Sequence, residues 1–246
     1  MRAELFLRKY RVLEGLLERR YEGRKLSSAS VVMEYSRDAD SEAVRVDLNL
    51  LREIRNILSH NADANGDPVV EPSQETLDKL DRIIDHVKKP MLAVDFGTPA
   101  RSILFANLND RIFDIMRSMR KNGYSHVPVR GERGIYGVFS VKSMFDFLAE
   151  NGPCRLGEDA RIGDLGGRVR LNNPASERYL FRPADATLAS VRAEFERHAE
   201  KDRRLNIVFI TQNGQSDEDI LSMLTPWDVL SDKNPHKEIN ENGKRS

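Results

Sequence analysis

The sequence predicts an α+β fold in two parts, an N-terminal all-α four-helix bundle followed by two βαββα repeats. Three observations predict it. Apolar residues recur at helical spacing up to about residue 90. Beyond Pro99, short β-type runs alternate with amphipathic stretches. That second order of elements then returns about 85 residues later.

In the first part, Leu5, Val12, Leu13, Leu16 and Leu17 mark a helix that ends near Glu22-Gly23. Ser27 to Tyr35 is a weaker helical stretch, and Asp47 to His60 a strong one. The run Asn61 to Pro68 is a loop by composition. Ser73 then suits the N-cap of a fourth helix, and Lys88-Lys89 suit its C-terminal dipole end before Pro90.

In the second part, Ile103-Leu104-Phe105 reads as a strand and Asp110 to Lys121 as a helix, with Gly123 as its stop. His126 to Val129 and Ile135 to Ser140 are strands around a glycine-bracketed turn, and Met144 to Ala149 is a short helix. The repeat follows as Tyr179-Leu180-Phe181, then a helix from Thr187 to His198. Strands from Asn206 to Thr211 and Ile220 to Leu224 come next, and a short helix from Trp227 to Leu230 closes the unit. The expected divisions are 1–90 for the helical bundle, 96–152 and 158–232 for the two repeats, and 233–246 for a polar tail expected to be disordered.

Composition narrows the function classes. Basic and acidic residues number 39 each, so net charge gives no drive toward nucleic acid or anionic membranes. The single cysteine, Cys154, excludes an intrachain disulfide and any cysteine-based zinc site. The histidines lack metal-ligand spacing, and no metal is expected. No apolar run approaches the roughly 20 residues that span a bilayer, and no signal-peptide pattern opens the chain. The expected compartment is the cytoplasm, with no membrane partner.

The chemistry-bearing residues of the repeats lie where a strand meets a helix. The first repeat reads Gly123-Tyr124-Ser125-His126-Val127-Pro128-Val129 and closes on Gly137-Val138-Phe139-Ser140, with Ser143 three residues on. The second closes on Ser222-Met223-Leu224-Thr225, with Asp228 three residues on. This resembles the CBS domain family, whose units end in Gly-x-x-Thr-x-x-Asp. The resemblance implies that the repeats pack as a pair with two clefts for AMP, ADP, ATP or S-adenosylmethionine. It makes Thr225 and Asp228 the ribose contacts, because a carboxylate accepts hydrogen bonds from a vicinal diol. Ser140 and Ser143 are the matching positions of the first cleft. There the carboxylate is missing, so one competent cleft and one weak or vacant one are expected. The alternative reading is that Thr225 and Asp228 only cap a helix. His126 reads as a packed or edge histidine, and Arg130 and Arg182 as surface residues with the reach to meet phosphate.

The third helix of the first part ends in Arg55-Asn56-Ile57-Leu58-Ser59-His60. At 100° per residue, Leu50, Leu51, Ile54, Ile57 and Leu58 form the expected core face. Asn49, Arg52, Arg55, Asn56, Ser59 and His60 fall opposite. An Arg-Asn-x-x-x-His motif ending a helix of a small α bundle resembles the HEPN superfamily. In its nuclease members the histidine abstracts a 2′-hydroxyl proton and the arginine stabilises charge on the scissile phosphate. The resemblance implies a homodimer, with Arg55, Asn56 and His60 as the candidate catalytic set. Two functions stand from this sequence. One is a regulatory protein that senses an adenosine-containing small molecule, its helical domain serving dimerisation or an effector role. The alternative is a ligand-gated, metal-independent endoribonuclease with RNA as its partner.

Overall fold

The long helices of the N-terminal part form because each carries an apolar arc wide enough to bury. In α1 (Arg2–Arg20) the buried residues Ala3, Phe6, Tyr10, Leu13 and Leu17 repeat every three or four positions. They meet Leu77, Leu80, Ile83, Ile84 and Val87 of α4 (Gln74–Lys88), and Leu48, Leu51 and Leu58 of α3 (Arg45–His60), in one core. Between α1 and α3 lie α2 (Val31–Tyr35) and a 3₁₀ turn, Ala39–Ser41. Ser73 caps α4 as its position predicts, accepting from the Thr76 N–H at 3.2 Å. Such a cap contributes about 1 kcal/mol.

This computed structural model describes residues 2–60, 70–152, 156–173, 177–199 and 204–230, with His60 and Leu230 described by backbone alone. The chain separates into two compact units, Met1–Met91 and Leu92–Ser246. The loop expected at 61–68 and the tail expected from 233 lie outside the described residues.

The orientation of α3 departs from the helical-wheel expectation. Leu50 and Ile57 are 48% and 40% exposed, and Val46 is 83% exposed. The buried arc is instead Leu48, Leu51 and Leu58 with half-buried Ile54, and on a wheel Arg55 falls between Leu48 and Leu51. Counting apolar residues set the expected face; contact with α1 and α4 sets the real one.

In the second unit, four strands form one sheet in the order β1-β6-β5-β4. These are β1 (Thr98–Pro99), β4 (Arg178–Pro183), β5 (Leu205–Thr211) and β6 (Ile220–Leu224). β4 and β5 run parallel and the other pairs antiparallel. Strands β2 (His126–Arg130) and β3 (Ile135–Ser140) form a separate antiparallel hairpin. The strand expected at Ile103-Leu104-Phe105 is absent. A 3₁₀ turn (Ala100–Ser102) precedes it, and pairing narrows to one bridge at Ala106, which donates to Pro128 O and accepts from Arg130 N–H. Phe105 lies instead under the Arg130 guanidinium, 4.0 Å from ring centroid to Cζ.

Helices α5 (Ile112–Asn122), α6 (Val141–Asn151), α7 (Leu188–Arg197) and α8 (Pro226–Leu230) complete the repeats. Gly123 stops α5 in the left-handed conformation at φ 71°, as expected. The segment that opens the second unit, including the start of the first repeat, joins the sheet of the second repeat: Ala93 donates to Ala186 O at 2.8 Å, and Thr98 lies opposite Met223. Ile162–Val169, a 3₁₀ segment kinked at Gly166, buries Ile162, Leu165 and Val169 in the first repeat's core. Each repeat has its own core, and a third cluster of Ile135, Val138, Ile207, Phe209 and Ile220 joins them. Gly137 is required at the crossing of β3 with the 3₁₀ segment, since a Cβ there would lie 1.6 Å from Val169 O.

Two strand-to-helix junctions as candidate ligand sites

At the end of β6 the chain turns into α8, and Thr225 and Asp228 meet across that turn. Asp228 Oδ2 accepts from the Thr225 backbone N–H and from its hydroxyl, both at 2.7 Å. The Asp228 N–H returns a bond to Thr225 O at 3.1 Å. Among the described residues Oδ1 carries no hydrogen bond, and both residues are half-buried. The junction is therefore a helix-capping device with one carboxylate oxygen in reserve. A carboxylate in this state accepts from a ligand hydroxyl without giving up its structural bonds.

At the matching junction of the first repeat, Ser140 and Ser143 bond each other. Ser140 caps α6 by accepting from Ser143 N–H at 3.1 Å, and Ser143 Oγ accepts from Ser140 N–H at 2.9 Å. The Ser143 hydroxyl proton goes to Ser140 O at 2.8 Å. Ser140 and Ser143 are 2% and 7% exposed, so Ser143 in particular is closed into the cap.

A carboxylate stands beside that junction that no motif singled out. Glu177, just before β4, receives Asn206 Nδ2 and faces His126 Nε2, at 2.5 and 3.1 Å from Oε1. Tyr179 OH donates to Oε2 at 3.1 Å, and the Ser140 hydroxyl also hydrogen-bonds the carboxylate. His126 Nδ1 lies 2.7 Å from Ser125 Oγ. Burial pushes the Glu177 carboxyl up, but the bonds from His126, Ser140 and Tyr179 and the charge of His126 outweigh it and hold it low. Sequence reasoning missed this cluster because its members lie on β2, β3, β4 and β5 with no local spacing in common. His126 is thus a packed histidine on an edge of the hairpin, partner to the half-buried carboxylate of Glu177.

Three depressions of this unit are lined by described residues, and Thr225 and Asp228 line none of the three. One of about 430 Å³ is lined by Ser125, His126, Val141, Lys142, Phe145 and Glu177. One of about 680 Å³ includes Arg130 and Arg133 opposite Asp217, Glu218 and Asp219. Arg182, the other expected surface arginine, is paired with Glu194.

In the helical unit Arg55 turns inward. Its Nη2 lies 3.4 Å from Glu14 Oε1, and its guanidinium lies over the Tyr10 ring at 5.9 Å. The expectation of an outward Arg55 is corrected by these contacts, which use the guanidinium to tie α3 to α1. Asn56 is half-buried on the same helix. The backbone of His60 ends α3, and its side chain lies outside what is described. Burial, followed by Glu14, raises the Tyr10 phenol to about 12. Among the described residues no group of three or more His, Cys, Asp or Glu side chains is arranged to hold a metal ion. No described helix is long and apolar enough to cross a membrane.

Comparison with known proteins identifies part of this unit. Residues 93–150 match the family model of the CBS domain. The match covers β1, the Ala106 bridge, the β2–β3 hairpin, α5 and all but the last residue of α6, and it includes Ser140 and Ser143. No curated protein matches the chain. Among solved structures, the chain is similar to a hemolysin-like CBS-domain protein of Oenococcus oeni PSU. Identity is 15%, over 57% of this chain and 88% of that one, with TM-score 0.39. It is similar to the CBS domain of a bacterial CNNM/CorC family Mg2+ transporter in complex with ATP, at 16% identity over 57% and 84%, TM-score 0.40. A conserved protein domain of Neisseria meningitidis MC58 is 15% identical over 75% and 99%, TM-score 0.42. These likenesses are loose and carry no ligand across to this chain.

Proposed function

We propose that this is a regulatory protein whose paired CBS repeats, 96–152 and 158–232, bind an adenosine-containing ligand: AMP, ADP, ATP or S-adenosylmethionine. The observation that carries the reading is the Asp228 carboxylate, with Oδ2 fixed by Thr225 and Oδ1 in reserve. Fixing one oxygen orients the other in advance, which lowers the ordering cost of binding a diol. The first junction lacks a carboxylate at Ser143 and its serines are buried in their own cap, so a single ligand per chain is the reading for the pair.

The helical unit, 1–90, serves in this reading to pair two copies of the chain. Val46, Leu50 and Ile57 lie within about 40° of one another on the outer side of α3, an exposed apolar stripe suited to a helix-to-helix contact. The contacts of Arg55 with Glu14 and Tyr10 support a packing role for that residue rather than a contact with a scissile phosphate.

The test is calorimetric titration of the full chain with the four adenosine compounds, each beside its 2′,3′-dideoxy counterpart where one exists. Binding by at least one, with loss on removal of the two hydroxyls, is the expected result. Equal binding of ribose and dideoxyribose forms would remove Asp228 from the site.

A further inference from the structure

The surroundings of Glu177 are those of an anion site already filled. Its carboxylate is 15% exposed and is met by four groups able to donate: the imidazole of His126, the amide of Asn206, the phenol of Tyr179 and the hydroxyl of Ser140. Two come from the first repeat and two from the second. The joint apolar cluster that links the repeats includes Ile207, next to Asn206 on β5, and takes half-buried Tyr179 against it. A largely enclosed carboxylate with this many donors is well satisfied, and removing it would take their shared acceptor away. The same set suits a phosphate group: hydroxyl, amide and imidazole groups are gathered around the two carboxylate oxygens at the mouth of a depression of about 430 Å³, with Asn206 Nδ2 also 3.1 Å from His126 Nε2.

We propose that these donors form an oxyanion site whose resident anion is the chain's own Glu177, and that this internal carboxylate keeps phosphate-bearing ligands out of the first repeat. The proposal rests on reading the two strand-to-helix junctions as ligand sites, and it gives the first of them a specific state. That junction is closed by a residue of the second repeat, and the closure fastens the repeats to each other. Among the described residues, these charged and titratable groups face the cluster. His126 and Tyr179 are within it, and Lys142 of α6 lines the same depression, paired with Asp146.

The experiment follows the His126 imidazole by NMR in the full chain, its signal assigned by its loss in His126→Gln. Inorganic pyrophosphate is the probe. In the wild type the His126 signal stays fixed as pyrophosphate is added; in Glu177→Ala it moves saturably as the probe takes the vacated place. A saturable shift in the wild type would show that Glu177 does not close the site. No shift in a folded Glu177→Ala chain would show that the donors do not make an oxyanion site. Either outcome overturns the proposal. If Glu177→Ala fails to fold, Glu177→Ser, which leaves only a small hydroxyl among the donors, is titrated in the same way: a saturable His126 shift with pyrophosphate is expected, and a signal that stays fixed in that folded chain overturns the proposal. Failure of the adenosine reading shows separately, as absence of nucleotide binding to the wild type, because the His126 readout does not involve Asp228.

Discussion

Asp228 holds Thr225 through one oxygen only, taking its backbone N–H and its hydroxyl on Oδ2. This arrangement separates two roles that a substitution can resolve. Asp228→Asn keeps an oxygen to accept from Thr225, so the start of α8 should hold. It loses the charge that strengthens bonds from a ribose diol. The expected result is a 10- to 100-fold weaker nucleotide affinity, about 1.5–3 kcal/mol, with the thermal midpoint little changed. Calorimetry beside thermal unfolding checks both halves.

Gly137 faces the carbonyl of Val169 so closely that even a methyl group cannot enter. The neighbouring atoms are backbone, so no side-chain rotation relieves the clash. Gly137→Ala should destabilise the second unit by about 3 kcal/mol or more, a cost reserved for forced backbone movement. Urea unfolding followed by circular dichroism measures it.

Arg55 is expected to behave as a packing residue. An ion pair of half-exposed groups and a cation–π contact together are worth about 1 kcal/mol. Arg55→Ala should lower helical-unit stability by about that amount, and should leave nucleotide binding unchanged. The nuclease alternative makes a different demand: RNA cut by the wild type and left intact by His60→Ala.

Tyr10 gives the helical unit an alkaline limit. Its folded pKa, raised from 10.0 to about 12, means that between those values the unfolded chain releases a proton that the folded chain retains. Stability is therefore complete below pH 10 and is lost as pH rises toward 12. Burial raises the Tyr21 and Tyr35 phenols as well, so they add to the loss with the same sign. Tyr10→Phe should flatten part of this decline in unfolding measured across alkaline pH.

The α3 stripe should set the association state. Leu50→Arg with Ile57→Arg places two charges on an exposed face and disturbs no buried contact. A dimeric wild type that becomes monomeric in the double variant, by sedimentation velocity, is the expected outcome. An unchanged sedimentation coefficient would assign pairing to another surface.

Most elements were legible because their signals are local. Ser73 capping α4 and Gly123 ending α5 are decided within a few residues, and both stand where the sequence places them. The hairpin of β2 and β3 is equally local. What escaped was decided at a distance. Ile103-Leu104-Phe105 has strand-forming residues, yet no neighbour takes up a full ladder and only Ala106 pairs. Thr98 and Pro99 carry no strand pattern, but β6 offers an edge. Leu50 and Ile57 look like core on a wheel, while packing against α1 turns Arg55 inward. At the candidate sites, Thr225 and Asp228 meet because three residues span one helical turn. Glu177 and His126 are far apart in sequence and meet only once both repeats have folded.

The most direct test of the central claim is calorimetric titration of AMP, ADP, ATP and S-adenosylmethionine into wild type and Asp228→Ala, with folding of both chains verified. The account predicts that at least one compound binds the wild type, one per chain, and that Asp228→Ala abolishes this binding. Binding by neither chain, or equal binding by both, would contradict it.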